Sequence, residues 1–351
     1  VVAPDDPLAM GMVDALEAAG IRAFGPRANA ARIEASKVFS KELMQKYDIP
    51  TADCRVFDHA DAAFAYLKTC SYPTVVKADG LALGKGVIIC KTEAEAKDAV
   101  QKIMVDRVFG AAGARVIVEE FIEGPEVSVL CFVDGEHIVP MVSSQDHKRA
   151  YDADQGPNTG GMGTFAPTPK YTPAVQDEVT RTILIPTVQA MAKEGAPFKG
   201  VLYYGLMLAQ DGPRVLEYNA RFGDPETQVV LPLLKTDLID IMQAAIDGTL
   251  DRMEVEWEAG VCVCVVMASG GYPGSYEKGK EITGLEAVPK DILVFHAGTQ
   301  LKDGAVVTAG GRVLGVTAKG KDIAKAREKA YAAVAGIQFE GAHYRKDIGI
   351  K

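Results

Sequence analysis

Four stretches of the chain place charged and oxygen-bearing side chains at spacings that can do chemistry. The most pointed is VLEYNARFGDPE, residues 215–226, where Glu217, Asn219 and Arg221 recur at every second position. On a strand, that spacing turns all three to one face. A carboxylate and an amide oxygen suit Mg²⁺, which prefers hard oxygen ligands and completes its shell with phosphate. A guanidinium two residues on suits transferring phosphoryl oxygens. Val215, Leu216 and Tyr218 read as a buried strand, in which charge without a purpose is costly. A polar outer face with an Arg–Glu pair is the plainer alternative.

The second stretch is VVKADGLALGKGV, residues 75–87. A strand ending in Lys77 runs into a glycine-rich turn with Lys85 at its tip, and a further strand begins at Val87. Glycines let backbone N–H groups approach phosphate oxygens, and the lysines add charge. The spacing of Gly80, Gly84, Lys85 and Gly86 is not that of a Walker A loop, and it opens a strand rather than a helix. A plain glycine-rich hairpin has the same pattern. In the third stretch, EEFIEGPE at 119–126, a strand meets a turn that can offer backbone groups to an adenine edge, with Glu126 placed for ribose hydroxyls. A solvated acidic turn reads the same way. The fourth, QDHKRAYDADQGPNTGGMG at 145–163, joins a cationic cluster (His147, Lys148, Arg149) to carboxylates and a glycine-rich end. It suits an anionic substrate, or is a solvated loop.

These residues need a scaffold, and the composition supplies one. The chain has 351 residues, enough for two or three domains. It is 48% hydrophobic and 24% charged, the balance of a folded globular protein rather than a disordered one. With 38 Lys and Arg against 47 Asp and Glu, the net charge of −9 argues against a nucleic-acid partner. The densest apolar run, residues 261–268, is far short of the ~20 residues a membrane span needs, and the start is not signal-like. Six scattered cysteines (54, 70, 90, 131, 262, 264) form no CxxC pair and read as small apolar filler in a reducing cytoplasm. Glycine, at 35 residues, exceeds the usual ~7%.

Periodicity and turn residues predict helices over 7–19, 35–47, 58–70, 92–108, 173–193, 237–247 and 322–335. Strands are predicted at 73–77, 87–90, 116–120, 127–133, 137–142, 201–208, 214–219, 261–268, 292–296 and 311–317. Asp134-Gly135 reads as a hairpin turn. Residues 143–168 show no period and are expected to form one long functional loop.

Taken together, the stretches resemble the ATP-grasp ligases, and specifically the glycinamide ribonucleotide synthetase family. ASKVFSKELM, VVKADGLALGKGV, EEFIEGPEVS, QDHKRAYDADQGPNTGGMG and RFGDPETQ stand in that family's order. SGGYPGSYEKGKEI, HAGT, GRVLGVTA and YRKDIG follow in the C-terminal quarter. The resemblance implies a mixed α/β and α+β architecture with the ATP-grasp fold. It would comprise a truncated doubly wound α/β domain over 1–34, an ATP-grasp domain over 35–253 with its lid at about 50–120, and a small β-rich domain over 254–351.

It also implies residue roles. Lys37 and Lys77 would contact ATP phosphates under a loop formed by Gly84, Lys85 and Gly86. Glu119, Glu120 and Ile122 would frame the adenine, with Glu126 on the ribose. Glu217 and Asn219 would hold Mg²⁺, or Mn²⁺ in its place, and Arg221 would stabilise the transferring phosphoryl group. Asp5, Asp146, Lys148, Asn158, Gly160, Arg221 and Asp224 would hold glycine or 5-phosphoribosylamine, with Asp146 and Lys148 also in the catalytic set. The implied reaction joins glycine to phosphoribosylamine through a glycyl phosphate, in purine biosynthesis, by a monomer in the cytoplasm acting on small molecules alone.

The family pattern normally opens with a strand and a GSGGREH-type turn that grips the sugar phosphate, and that stretch has no counterpart here. Ala3 and Asp5 stand where the family's VVGPE has Gly and Glu, and residues 203–208 lack a further metal carboxylate. An Mg-ATP-binding fragment without ligase activity is therefore the alternative expectation.

Overall fold

The computed structural model describes residues 1–81 and 86–350. The chain divides into two compact units, one of Val1–Met141, Lys170–Phe222 and Leu238–Glu254, the other of Val142–Pro169, Gly223–Asp237 and Val255–Lys351. Residues 142–169 and 223–237 thus group with the C-terminal part.

Helix Lys37–Lys46 starts where Ser36 accepts the Phe39 N–H on its hydroxyl at 3.1 Å, satisfying one of the otherwise unpaired donors of the first turn. Helix Glu93–Val100 starts likewise on Thr92, while Glu95 reaches back to the Lys91 N–H at 2.7 Å. At the N-terminus the expected single helix over 7–19 is instead two, Asp5–Ala9 and Met12–Ala18. Gly11 between them has φ +86°, a left-handed conformation that interrupts the α-helix whatever the apolar spacing around it.

The first unit contains two antiparallel four-stranded sheets. One runs in the order Cys54–Phe57, Val116–Glu120, Thr74–Ala78, Val87–Cys90, and packs helices Ala60–Leu67 and Glu93–Val100 around Val76, Ala78, Val116 and Val118. The other runs Gly212–Asn219, Lys199–Ala209, Glu126–Asp134, Ile138–Pro140. Its strand Lys199–Ala209 is buried at eight successive positions, so both of its faces are covered. The hairpin expected at Asp134-Gly135 is present, with Gly135 at φ +104°. Helices Ala28–Ala35, Lys37–Lys46 and Ile185–Lys193 contribute Ile33, Leu43 and Val188 to the core beside this sheet.

The second unit is built on a five-stranded sheet in the order Ile292–His296, Arg312–Gly320, Val261–Ala268, Gly163–Ala166, Gln145–Asp146. Helix Ile323–Gly336 packs Ala326, Ala330 and Val334 against it. The stretch expected to be one loop, 143–168, is therefore about half strand, including a short ribbon of Arg149–Tyr151 and Gln155–Asn158. Strands of two to four residues are too short to show alternation, and Gly163–Ala166 is buried on both faces. Cys262 and Cys264 are buried in the central strand, and burial pushes both thiols up to about 12, as inert apolar filler requires. Among the described residues no helix is long and apolar enough to cross a membrane.

Arg345, from YRKDIG, is fully buried in this unit. Its guanidinium meets both oxygens of Asp347 (2.7 and 2.6 Å), Asp154 Oδ1 at 2.9 Å and the Arg149 carbonyl at 3.1 Å. Asp347 also accepts the Ala153 N–H at 2.9 Å. The C-terminal motif thus anchors the ribbon that follows Asp146. Burial alone would raise the Asp347 pKa, but the bonds from Arg345 and Ala153 prevail and hold it at about 2, against an ordinary 3.8. A depressed carboxyl contributes stability that is complete above its ordinary pKa and is lost as pH falls through the lowered one. Asp347→Asn should cost about 1–2 kcal/mol of unfolding free energy at pH 7, and the gap to the unaltered chain should close between pH 4 and 2, as read by urea denaturation across pH.

Candidate active site

Thr74–Ala78 is buried along its whole length, yet it carries Lys77 at 8% exposure. A lysine so placed needs partners. Antiparallel register puts Glu119 diagonally beside it on the same face, with Lys77 Nζ 2.8 Å from Oε2. The same ammonium donates to the Leu216 carbonyl at 3.2 Å, one residue before Glu217. Glu119 Oε1 faces another ammonium, that of Lys41, at 3.3 Å. Lys41 in turn donates to Thr51 Oγ1 at 2.7 Å and the Ala52 carbonyl at 3.4 Å. Burial pushes the Lys41 pKa down, opposed by the Glu119 charge.

Lys37, one turn before Lys41 on the same helix face, donates to the Gly80 carbonyl at 2.8 Å. Burial lowers its pKa as well, opposed chiefly by the charge of Glu217. Asp79 fixes the entry to the glycine-rich turn: Oδ1 accepts the Ser36 hydroxyl (3.0 Å) and the Val38 N–H (3.1 Å), while Oδ2 pairs with Arg115 at 2.5 Å. At the exit, the Gly86 carbonyl accepts the Ala78 N–H at 2.9 Å. Gly84 and Lys85, expected at the loop tip, lie outside the described residues.

Glu217 and Asn219 sit half-buried at the end of Gly212–Asn219 and share a strand face, as expected. Gly205 lies opposite Glu217, and a methyl group there would come within 3.1 Å of Glu217 Cγ, so glycine leaves room for the carboxylate. Their oxygens fit Mg²⁺, which takes few protein ligands and fills its remaining positions with phosphate and water. Arg221 departs from expectation. The strand ends at Asn219, so Arg221 occupies the following turn and not a third strand position. It still reaches back, with Nη2 3.5 Å from Asn219 Oδ1 and 3.2 Å from Glu34 Oε1. Glu34 Oε2 accepts the buried Ala220 N–H at 2.7 Å. Burial raises the Glu34 pKa, against the pull of Arg221.

Asp5 is half-buried at the start of its helix, near enough to Glu34 for its charge to act there. Glu120 is exposed and its carboxylate is bound to Arg214 at 2.5 Å and accepts the Asp53 N–H at 3.2 Å, while its own N–H donates to the Asp53 carbonyl at 2.9 Å. Ile122 lines a shallow cleft with Phe121, Glu123, Ala209 and Gln210. The turn before Glu126 closes tightly: Gly124 has φ +157°, and a methyl there would lie 2.3 Å from the Leu208 carbonyl. Glu126 then starts the strand opposite Met207.

In the second unit, Asp146 is buried in its short strand and Lys148 half-buried just after it. The Lys148 carbonyl accepts both the N–H and the hydroxyl of Thr159, at 2.7 and 2.8 Å. Asn158 is exposed opposite Arg149. Arg312 joins two of the expected substrate residues: Nη1 donates to the Gly160 carbonyl at 2.8 Å, and Nη2 meets Asp224 Oδ2 at 2.8 Å. The Tyr272 hydroxyl accepts the Gly160 N–H at 3.0 Å. The expected cationic cluster does not form one open surface. His147 is fully buried and accepts the Gly349 N–H at 3.3 Å, while Arg149 turns to the Gly156 carbonyl at 2.8 Å.

Sequence reasoning passes over Glu34, Lys41, Asp79 and Arg312. A signal exists for Lys41: with Lys37 it places two charges four apart on the face of a helix that also carries Val38 and Leu43 inward.

Residues 1–34 match the N domain of phosphoribosylglycinamide synthetase, 35–227 its ATP-grasp (A) domain and 262–351 its C domain. The chain belongs to the phosphoribosylglycinamide synthetase family. It is 52% identical, over 99% of its length and 83% of the relative's, to the phosphoribosylamine–glycine ligase of Caldanaerobacter subterraneus subsp. tengcongensis. It is 50% identical, over its whole length, to 35% of the human trifunctional purine biosynthetic protein adenosine-3. The crystal structure of the Thermotoga maritima phosphoribosylamine–glycine ligase superposes with TM-score 0.84 at 40% identity, covering 93% of this chain and 81% of that one. A biotin carboxylase from Campylobacter jejuni, solved as a β-γ-ATP complex, reaches TM-score 0.74 at 15% identity, covering 95% and 73%, and shares the fold alone. The synthetase chain thus has the ATP-grasp fold that its motifs imply.

In this synthetase, removing the Glu34 carboxylate would strand the Ala220 N–H and take a partner from Arg221. Glu34→Ala should lower unfolding free energy by about 2–4 kcal/mol, and Glu34→Gln by less, because the amide oxygen keeps the N–H bond. Guanidinium denaturation of both variants checks this order.

Proposed function

We propose that this chain catalyses the ATP-dependent ligation of glycine to 5-phosphoribosylamine, giving glycinamide ribonucleotide, ADP and phosphate. The observation that carries the reading is the gathering of Lys37, Lys77, Glu217, Asn219 and Arg221 in one unit of a chain 52% identical to a phosphoribosylamine–glycine ligase. Similarity through all three family domains favours it over nucleotide binding alone.

A carboxylate oxygen is a poor leaving group, so the glycine carboxylate first takes the γ-phosphoryl group of ATP. The sugar amine then attacks the carbonyl and phosphate departs. Lys37 and Lys77 would bind phosphate oxygens together with Gly84, Lys85 and Gly86, and Arg221, braced by Glu34, would neutralise charge on the group in transit. Glu217 and Asn219 would hold Mg²⁺, with Mn²⁺ accepted by the same oxygen donors. The bound ion would offset phosphate charge.

Residues 119–122 and Glu126 would frame adenine and ribose. The exposed Glu120 carboxylate is already occupied by Arg214, so its share in adenine binding would come from its backbone. Asp5, Asp146, Lys148, Asn158, Gly160 and Asp224 would hold glycine and phosphoribosylamine, the last two steadied by Arg312. We assign these roles to linear domains at 1–34, 35–253 with a lid at about 50–120, and 254–351. Six unpaired cysteines suit a reducing cytoplasm.

ADP release is the deciding measurement, with Mg-ATP, glycine and phosphoribosylamine formed in situ from ribose 5-phosphate and ammonia. ADP should appear only when both co-substrates are present, and glycine-independent release would refute the assignment. Glu217→Gln should reduce turnover by about 10²–10³-fold while ATP binding is partly kept.

A further inference from the structure

Glu119 is 3% exposed and has two cations, Lys41 and Lys77, one on each oxygen. The two are not equivalent. Lys41 is 2% exposed and is held from three sides, by Glu119, Thr51 Oγ1 and the Ala52 carbonyl. Thr51 is itself fixed, donating its hydroxyl proton to the Val215 carbonyl at 2.7 Å. Lys77 lies on the strand ahead of the glycine-rich stretch, is more exposed, and among the described residues holds the neutral Leu216 carbonyl besides Glu119. Lys41 is therefore the more firmly held of the two cations.

That asymmetry matters because Lys77 has two possible anionic partners once a nucleotide arrives. Moving its ammonium onto phosphate would leave Glu119 as a lone buried carboxylate, an arrangement that strongly opposes the move. A second cation that stays behind removes most of that opposition. We propose that Lys41 is a positioning residue for ATP binding: it is the standing counter-charge of Glu119 that releases Lys77 to the nucleotide phosphates. The inference rests on the ATP-binding reading above and adds to it a residue that touches no substrate.

The test is equilibrium binding of Mg-ATP and of adenosine, which lacks phosphates, to the full chain by titration calorimetry. Lys41→Met should weaken ATP by about tenfold or more, because Glu119 then retains Lys77, while adenosine affinity changes by less than about twofold. Lys41→Arg keeps the charge and should stay within about threefold of the unaltered chain for ATP. Lys41→Met combined with Glu119→Gln should bring the ratio of ATP to adenosine affinity back to within about threefold of the unaltered chain's, since a neutral amide needs no counter-charge and adenosine reports any change at the base. Equal losses for ATP and adenosine in Lys41→Met, or no recovery in the double variant, overturns the proposal. If Lys41→Met does not fold, Lys41→Gln decides by the same pair of titrations: ATP should weaken by about tenfold or more while adenosine stays within about twofold, and equal losses overturn the proposal. Failure of the unaltered chain to bind ATP at all would instead defeat the functional reading on which the proposal stands.

Discussion

Charge buried inside a packed unit constrains this protein more than any apolar contact does. A lone ammonium or carboxylate cannot be withdrawn from water at tolerable cost, so each one dictates the placement of its partner. Lys77 requires Glu119 on the neighbouring strand, Glu119 admits Lys41 from a helix, and Lys41 requires Thr51 at the start of the next segment. Arg221 requires Glu34, which in turn holds the backbone of Ala220. Two helices and two sheets of the first unit are tied together by these few groups.

The second unit solves a similar problem with arginine. Arg345 and Arg312 each spread a planar guanidinium over several acceptors, which a lysine's point charge does less well. Arg345 clamps the ribbon after Asp146 to the chain's last residues, and Arg312 clamps Gly160 to Asp224. Two motifs far apart in sequence from residues 145–163 are thus explained by what they hold still.

Much of this is legible in the sequence where polar types break an apolar rhythm. Lys77 interrupts a run of valines, and Glu217 and Asn219 alternate with Leu216 and Tyr218, so strand periodicity exposes them directly. Lys41 and Glu34 are hidden because charged residues are ordinary on helices, and only the fold shows that these face inward. Arg221 illustrates the opposite error. Its spacing continues the strand pattern, but the strand has already ended, and the residue regains its place through Glu34. The 143–168 stretch conceals its strands because they are too short to have a period. The helix at 7–19 fails at Gly11 because apolar spacing carries no information about a left-handed residue.

The pairing of Lys199–Ala209 with Gly212–Asn219 shifts register between Gly205 and Leu206. On one side of the shift the partner strand supplies Val215 to the core; on the other it presents Glu217 and Asn219. The extra residue acts as a mechanical joint, bending the strand and interrupting the ladder between its two halves. The outer half of the hairpin, up to Val215, thus need not share the pleat of the inner half that carries Glu217 and Asn219.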